Sequence, residues 1–126
     1  MIEFNSLVII CVMNKIISQH LQEHQTVLST LKLLAPQIET VANQMIQALQ
    51  NGNTIFWCGN GGSASDAQHL AGELVGRFVG DRKALKSISL NADSAGMTCI
   101  VNDYGYEHLF SRQVEGVGVE GDVLVG

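Results

Sequence analysis

The hydrophobic pattern of the first part of the chain predicts two amphipathic helices in tandem. Over residues 14–33 apolar side chains recur at three- and four-residue spacing, which places them on one stripe of a helix. Pro36 suits the first turn of a second helix over residues 37–50, because a proline there needs no N–H partner. The sequence NGN at residues 51–53 supplies the glycine that commonly follows the end of a helix.

After residue 53 the pattern changes to short apolar runs separated by helical segments. The run at residues 54–58 (TIFWC) is typical of a buried strand, residues 86–90 (KSISL) are predicted as a second short strand, and residues 122–126 (DVLVG) begin a third. Helices are predicted between them, at residues 63–79, 93–103 and 106–117, with DYGY separating the last two. Strands that alternate with helices indicate an α/β fold with a doubly wound parallel sheet, in which ligands bind beyond the C-terminal ends of the strands.

Composition and charge exclude two classes of partner. The 126 residues suit one domain, and 46% hydrophobic against 15% charged residues is typical of a globular protein. A net charge of −5 argues against nucleic acid, whose binding needs clustered Lys and Arg. The apolar run LVIICV near the start is too short to span a bilayer, so we predict no membrane partner.

The start of the chain and the cysteines add two expectations. Residues 1–12 are interpreted as an N-terminal extension, because Met13 followed by NKIISQHLQEH is more typical of a natural start. Cys58 and Cys99 lie in apolar runs without CxxC spacing, so we predict buried, reduced thiols in a cytoplasmic protein. A catalytic thiol at Cys58 is less favoured than a packing residue at a strand end.

The sequence CGNGGS, which follows the first predicted strand, is the first candidate site. Gly59, Gly61 and Gly62 surround Asn60 and allow positive φ angles and close backbone approach, which exposes successive N–H groups. An anion fits such a loop at the start of a helix, and a plain glycine-rich turn is the alternative. The loop has neither the GxxxxGK[ST] of a P-loop nor the GxGxxG of a dinucleotide site, which argues against ATP hydrolysis and NAD binding.

The helix after this loop carries the remaining chemistry of the stretch. Ser63 is predicted to cap its N-terminus, with Asp66 three residues later in a capping-box-like pattern. His69 and Glu73 are four residues apart and share one helical face, where they can bind one metal ion or act together in proton transfer. The spacing alone favours the simpler interpretation, an exposed pair with no chemical role.

A second polar motif, NDYGYE, begins at Asn102 and Asp103. Polar side chains at the junction of a helix and a turn can bind sugar hydroxyls. Capping and turn formation explain them equally well, so the residues alone leave both interpretations open.

Three segments together closely resemble one known family. CGNGGSASDAQHLAGELVGRF, NDYGYEHLFSRQVE and GDVLVG resemble the sugar isomerase (SIS) domain of the bacterial phosphoheptose isomerases, and the likeness runs from about residue 30 to residue 126. It implies a five-stranded parallel sheet with N-terminal helices that pack subunits into a homotetramer. It also implies a cytoplasmic enzyme that converts sedoheptulose 7-phosphate to D-glycero-D-manno-heptose 7-phosphate, for the heptose of lipopolysaccharide or capsule, with one zinc ion per subunit.

The resemblance also implies roles for particular residues. His69 and Glu73 match two zinc ligands, and Glu73 matches the acid/base carboxylate as well. The positions that match substrate-binding residues are Asn60, Gly61, Gly62, Ser63, Glu73, Asn102 and Asp103.

In the family the sequence continues beyond GDVLVG into a Ser/Thr-rich phosphate loop and later segments, whose Gln and His complete the zinc site. Residues 13–126 therefore match only the N-terminal part of an SIS domain, and we expect a fragment that ends after about the third strand and is inactive or nearly so alone. The alternative is a non-catalytic SIS-domain protein that binds sugar phosphates or associates with the replication initiator. Such relatives can lose the carboxylate at the position of Glu73, so its presence favours the enzyme.

Overall fold

The computed structural model describes residues 6–126, with side chains from residue 12 onward. The helices are α1 (Ser6–Leu31), α2 (Ala35–Gln50), α3 (Gly62–Val75), α4 (Ser94–Tyr104) and α5 (Ser111–Val117), and the strands are β1 (Ile55–Trp57), β2 (Ser87–Ser89) and β3 (Val123–Val125). Short 3-10 turns occupy Lys32–Leu34 and Tyr106–His108. The predicted extension, residues 1–12, lies partly outside the described residues, and its division from residues 13–126 stays a prediction.

The chain divides into two compact units, one that ends at Val41 and one that runs from Ala42 to Gly126. The first unit contains α1, and from Val12 onward this helix carries large apolar side chains that lie exposed. These exposed residues are Val12, Met13, Ile16, Ile17, Leu21, Val27, Leu28 and Leu31. No helix within residues 6–126 is both long enough and apolar enough to cross a membrane.

The predicted parallel sheet is confirmed in the second unit. Its strand order is β2-β1-β3, and both pairings are parallel, with Phe56 opposite Ile88 on one side and Leu124 on the other. Because β1 is central, the chain steps to one side of it for β2 and to the other side for β3. A ligand-binding crevice is expected where the chain changes direction in this way, beyond the C-terminal end of β1.

The core of the second unit lies between the sheet and α3. Ile55 and Trp57 project from β1 against two alanines of α3, Ala67 and Ala71, whose small side chains let the helix approach closely. The indole N–H of Trp57 donates to the hydroxyl of Ser87 at 2.9 Å, so the one polar atom of this large side chain is paired across the sheet. The packing therefore fixes α3, and whatever its first turn and outer face carry, against the end of β1.

Two predicted boundaries of α3 are wrong. The helix ends at Val75 rather than at residue 79, with Gly76 as its C-cap residue, and the guanidinium of Arg82 binds its last carbonyl groups. Arg82 donates to the carbonyl oxygens of Glu73 and Leu74 at 2.7 and 2.8 Å, which satisfies acceptors that a longer helix would use internally. At the other end the N-cap residue is Gly61, which has no side chain, so Ser63 does not cap the helix as predicted.

Asp122 connects the start of β1 with the turn before β3. Its carboxylate accepts the N–H of Thr54 at 2.7 Å and the N–H of Val119 at 2.8 Å. These two backbone hydrogen bonds hold the pKa of Asp122 below its usual value, because they stabilise the charged form.

We expect Asp122→Ala to lower the free energy of unfolding by about 1–2 kcal/mol at pH 7, because two backbone donors lose a charged acceptor. Since the folded-state pKa is lowered, this contribution is fully present above the pKa of about 4 for an unfolded aspartate and is lost as the pH falls through the folded-state value. Urea unfolding at several pH values measures it. Asp81→Ala, at an exposed loop position, is the matched control, and an equal loss in both variants would contradict the assignment.

Candidate functional site

The candidate site begins at the C-terminal end of the central strand. The loop after β1 contains Gly59, Asn60 and Gly61, and α3 begins at Gly62. Gly61 has φ +56° and ψ −120°, a conformation that an L-residue rarely adopts, so its predicted positive φ is confirmed. Gly59 is needed for a different reason. A Cβ there would lie 2.6 Å from the carbonyl carbon of Ser63, because the strand end and the first turn of α3 touch at this point.

The free backbone N–H groups lie in the loop before Ser63. The cap predicted at Ser63 would instead have placed them in the residues after it. The N–H groups of Ser63 and Ala64 already donate to the carbonyls of Asn60 and Gly61, at 3.1 and 3.2 Å. By contrast, the N–H groups of Asn60, Gly61 and Gly62 have no hydrogen-bond partner among the residues that the structure describes. Three consecutive unpaired donors at a helix N-terminus are a suitable site for an anion or for the oxygens of a sugar.

Asn91 holds the loop through contacts with its main chain. This residue lies two positions after the end of β2. The side-chain carbonyl of Asn91 accepts the N–H of Gly59 at 3.0 Å, and its amino group donates to the carbonyl of Gly59 at 2.9 Å. Sequence reasoning missed this residue, because nothing in the pattern of residues 86–93 indicates a contact with a loop thirty-two positions earlier.

Asn60 is connected to the segment that follows α4. The hydroxyl of Tyr106 donates to the side-chain carbonyl of Asn60, which fixes the orientation of that amide. Tyr106 also lines a cleft of about 400 Å³ together with Asn102, Thr98 and apolar side chains of the same segment. The loop and the NDYGYE motif therefore meet, as a shared binding site requires, and Tyr106 is a contact that the sequence did not predict.

Asn102 and Asp103 lie within the last turn of α4 rather than after it. Their side chains are exposed, and the amino group of Asn102 donates to the carboxylate of Asp103 at 2.7 Å. Asp93 caps the N-terminus of α4, where its carboxylate accepts the N–H groups of Ala95 and Gly96. Capping thus accounts for Asp93, and the predicted role of Asn102 and Asp103 in binding substrate stays a prediction.

His69 and Glu73 share one face of α3, as their spacing predicts. The imidazole Nε2 of His69 lies 3.5 Å from the carboxylate Oε1 of Glu73, and their side chains are 72% and 29% exposed. His69 is six residues beyond Ser63, or about 9 Å further along the helix axis. No hydrogen bond or ion pair within the described part of the chain joins this pair to Asn60 or Asn102.

The donor atoms of this pair suit zinc, which binds imidazole nitrogen and carboxylate oxygen. A catalytic zinc site usually has three protein ligands. The residues that the structure describes contain no cluster of three or more His, Cys, Asp or Glu side chains able to hold a metal. His69 and Glu73 offer two suitable donor atoms, and their predicted role as zinc ligands stays a prediction.

The two cysteines of the second unit are both less buried than predicted. Cys58, at the end of β1, is half-buried as a packing residue, and burial raises the pKa of its thiol. Cys99 is exposed on α4, so its predicted burial is wrong. Its thiol is 3.6 Å from the carboxylate of Asp103, because four residues separate the two on one helical face.

We expect iodoacetamide at pH 8 to label Cys99 several-fold faster than Cys58, because Cys58 is less accessible and burial raises the pKa of its thiol. Mass spectrometry of digested protein measures both rates. Cys11, whose side chain lies outside the described residues, is replaced by serine throughout. Faster labelling of Cys58 in the Cys99→Ser variant than of Cys99 in the Cys58→Ser variant would contradict this expectation.

Comparison with known proteins identifies the family. A sequence model of the SIS domain matches residues 19–126. The chain is 50% identical over 118 residues to a phosphoheptose isomerase of Aneurinibacillus thermoaerophilus, which covers 90% of this chain and 59% of the relative. It is 46% identical over 114 residues to phosphoheptose isomerase 1 of Campylobacter jejuni, which covers 90% of this chain and 61% of that protein.

Solved structures agree with the sequence comparisons. A phosphoheptose isomerase from Neisseria gonorrhoeae superposes with a TM-score of 0.80 at 37% identity, over 91% of this chain and 59% of that one. One from Francisella tularensis gives 0.81 at 35% identity, over 90% and 59%. The chain thus spans about three-fifths of the length of these relatives. Because the family model covers all three strands and the complete glycine loop, the chain belongs to the SIS domain family.

Proposed function

We propose that this chain supplies part of the active site of an aldose–ketose isomerase that converts sedoheptulose 7-phosphate to D-glycero-D-manno-heptose 7-phosphate. One observation carries the proposal: three unpaired N–H groups, at residues 60–62, begin the same helix that carries His69 and Glu73. The loop offers donors for the oxygens of a phosphorylated sugar, and the helix offers a carboxylate for proton transfer. The relatives named as phosphoheptose isomerases favour this function over a non-catalytic regulator.

The reaction moves one proton between two neighbouring carbons. A base takes the proton from the carbon beside the carbonyl group, the electron pair of that C–H bond forms the C=C bond of an enediol, and the former carbonyl oxygen takes up a proton. A proton then returns to the former carbonyl carbon, and the other hydroxyl group loses its proton as the new carbonyl forms, which gives the isomer. In our proposal Glu73 is the base, and its side chain is 29% exposed, which leaves its carboxylate accessible to the substrate. Asn60 and Asn102 orient the sugar. A substrate that is already held in a reactive geometry loses less entropy when it reaches the transition state.

Zinc is a proposed cofactor, with one ion per subunit. His69 and Glu73 would contribute two of its ligands, since they present an imidazole nitrogen and a carboxylate oxygen on one helical face. Bound there, zinc would polarise the carbonyl oxygen of the sugar as a Lewis acid.

We also propose that subunits assemble into a homotetramer in the cytoplasm. Large exposed apolar residues along α1, such as Ile17, Leu21 and Leu28, favour burial in a subunit interface. The free thiols of Cys58 and Cys99 suit a reducing compartment. The product would then serve the synthesis of the heptose of lipopolysaccharide or capsule.

Two proteins test this function: the 126-residue chain, and a chimera in which it replaces the matched 118 residues of the Aneurinibacillus thermoaerophilus enzyme. We expect the chimera to convert sedoheptulose 7-phosphate and to bind one zinc ion per subunit. The chain alone should show little turnover, because its described residues supply only a pair of metal ligands. A folded chimera that neither binds zinc nor turns over the sugar would refute the proposed function and favour a regulatory protein.

A further inference from the structure

We propose that Asn91 is a positioning residue that holds the glycine loop in its ligand-binding conformation. The inference concerns a contact rather than a reaction, and only the identity of the ligand rests on the proposed function. Asn91 lies two residues beyond β2, on a different segment from the loop that it contacts, and it is buried.

The contact is a two-point pairing of an amide with a peptide group. The Oδ1 and Nδ2 atoms of Asn91 pair with the N–H and the carbonyl of Gly59 at 3.0 and 2.9 Å. Two bonds in opposite directions fix the orientation of the main chain at Gly59, whereas one bond would let it rotate. Only a side chain with both a donor and an acceptor on one rigid group can make this pairing, which restricts the position to asparagine at this reach.

The orientation of Gly59 determines where the free donors of the loop point. The carbonyl of Gly59 belongs to the same planar trans peptide as the N–H of Asn60, so the two groups point in opposite directions. When Asn91 holds that carbonyl toward the sheet, the N–H of Asn60 is directed away from Asn91. This N–H is the first of the three unpaired donors of the loop.

Asn91 is itself fixed by both elements beside the loop. Its backbone N–H donates to the hydroxyl of Ser89 at 3.2 Å, and its backbone carbonyl accepts the side-chain amide of Gln68 on α3 at 2.9 Å. The residue therefore connects the end of β2, the loop after β1 and the helix that carries Glu73. A small displacement of Asn91 would move the donors of the loop relative to the carboxylate.

Asn53 provides a matched control, because it makes comparable contacts at the opposite end of the sheet. Its side-chain amide donates to the carbonyl of Glu120 at 3.0 Å, before β1 begins. We expect Asn91→Ala and Asn53→Ala each to lower the thermal midpoint. Only Asn91→Ala should accelerate hydrogen exchange of the Gly59 amide, measured by NMR on the 126-residue protein, while the Ile55 amide, bonded to Lys86, stays protected.

The second readout is the kinetics of the chimera defined above. We expect Asn91→Ala to raise KM for sedoheptulose 7-phosphate about tenfold, the cost of roughly one hydrogen bond, and Asn53→Ala to leave it unchanged. If Asn91→Ala does not fold, Asn91→Asp keeps the size of the side chain and the acceptor for the Gly59 N–H. Ionised at pH 8, it lacks the donor for the Gly59 carbonyl, so KM should exceed the wild-type value at that pH, while the Gly59 amide keeps its acceptor and stays protected.

The outcomes separate the inference from the proposed function. Selective loss of Gly59 protection in Asn91→Ala, with a raised KM, supports the inference. Unchanged Gly59 exchange, or equal effects of the two alanine variants on KM, would overturn it while leaving the isomerase intact. If the unsubstituted chimera does not convert the sugar, the proposed function fails, and the exchange of Gly59 alone decides whether Asn91 holds the loop.

Discussion

Glu73→Gln is expected to lower kcat of the chimera for sedoheptulose 7-phosphate by about 100- to 10,000-fold, the range for loss of a general base, with a much smaller change in KM. The substitution preserves the length and shape of the side chain but removes the group that accepts a proton. Glu73 is held on α3, whose alanine face packs on β1, so the variant is expected to fold normally. Steady-state kinetics and the thermal midpoint measure the two effects.

Because Glu73 is also a proposed zinc ligand, the experiment must separate its two roles. His69→Ala removes the neighbouring imidazole, a proposed zinc ligand, and leaves the carboxylate of Glu73. The activity of this variant should therefore recover partly when zinc is added in excess. Glu73→Gln should not recover, even when its zinc content is restored. Recovery of full activity in Glu73→Gln with added zinc would show that the carboxylate acts only as a ligand. Glu115→Gln, exposed on α5, is the control for loss of one negative charge.

The layout of the sheet could be predicted from the sequence because its signals are local. Each strand is a short run around at least one large apolar residue, bounded by glycine or polar residues, and each is confirmed within one residue of its predicted limits. The alternation of strands with helices was sufficient to predict that the strands pair in parallel. The end of α3 was predicted four residues too late, although Gly76, its C-cap residue, is a local signal, and the contacts of Arg82 with its last carbonyls come from a loop that has no periodic pattern.

The candidate site was predictable only in part, for a related physical reason. His69 and Glu73 lie one turn apart on a single helix, so their spacing determines that they meet. Asn91 and Tyr106 contact the glycine loop across 32 and 46 positions of the sequence, and such contacts depend on the complete fold. Ser63 does not cap the helix as predicted. The N-cap residue is Gly61, which has an unusual backbone conformation and no side chain.

Gly59→Ala is expected to have the largest effect on the loop itself. The added Cβ would lie 2.6–2.7 Å from the backbone and Cβ of Ser63, and these atoms belong to the first turn of a packed helix. Relief requires α3 and the end of β1 to separate, which would also stretch the pairing with Asn91. We expect a loss of about 1–3 kcal/mol in the free energy of unfolding, measured with urea, together with a raised KM in the chimera.

Gly62→Ala is the matched substitution for stability, only three residues away. A Cβ at Gly62 meets no atom within 4 Å, and its φ lies outside the left-handed region. Alanine there should leave the free energy of unfolding unchanged or raise it by about 0.4–1 kcal/mol, because it restricts the unfolded chain. Equal destabilisation by the two alanines would mean that the loop tolerates no side chain at all, and the close approach of Gly59 to Ser63 would then not be the cause.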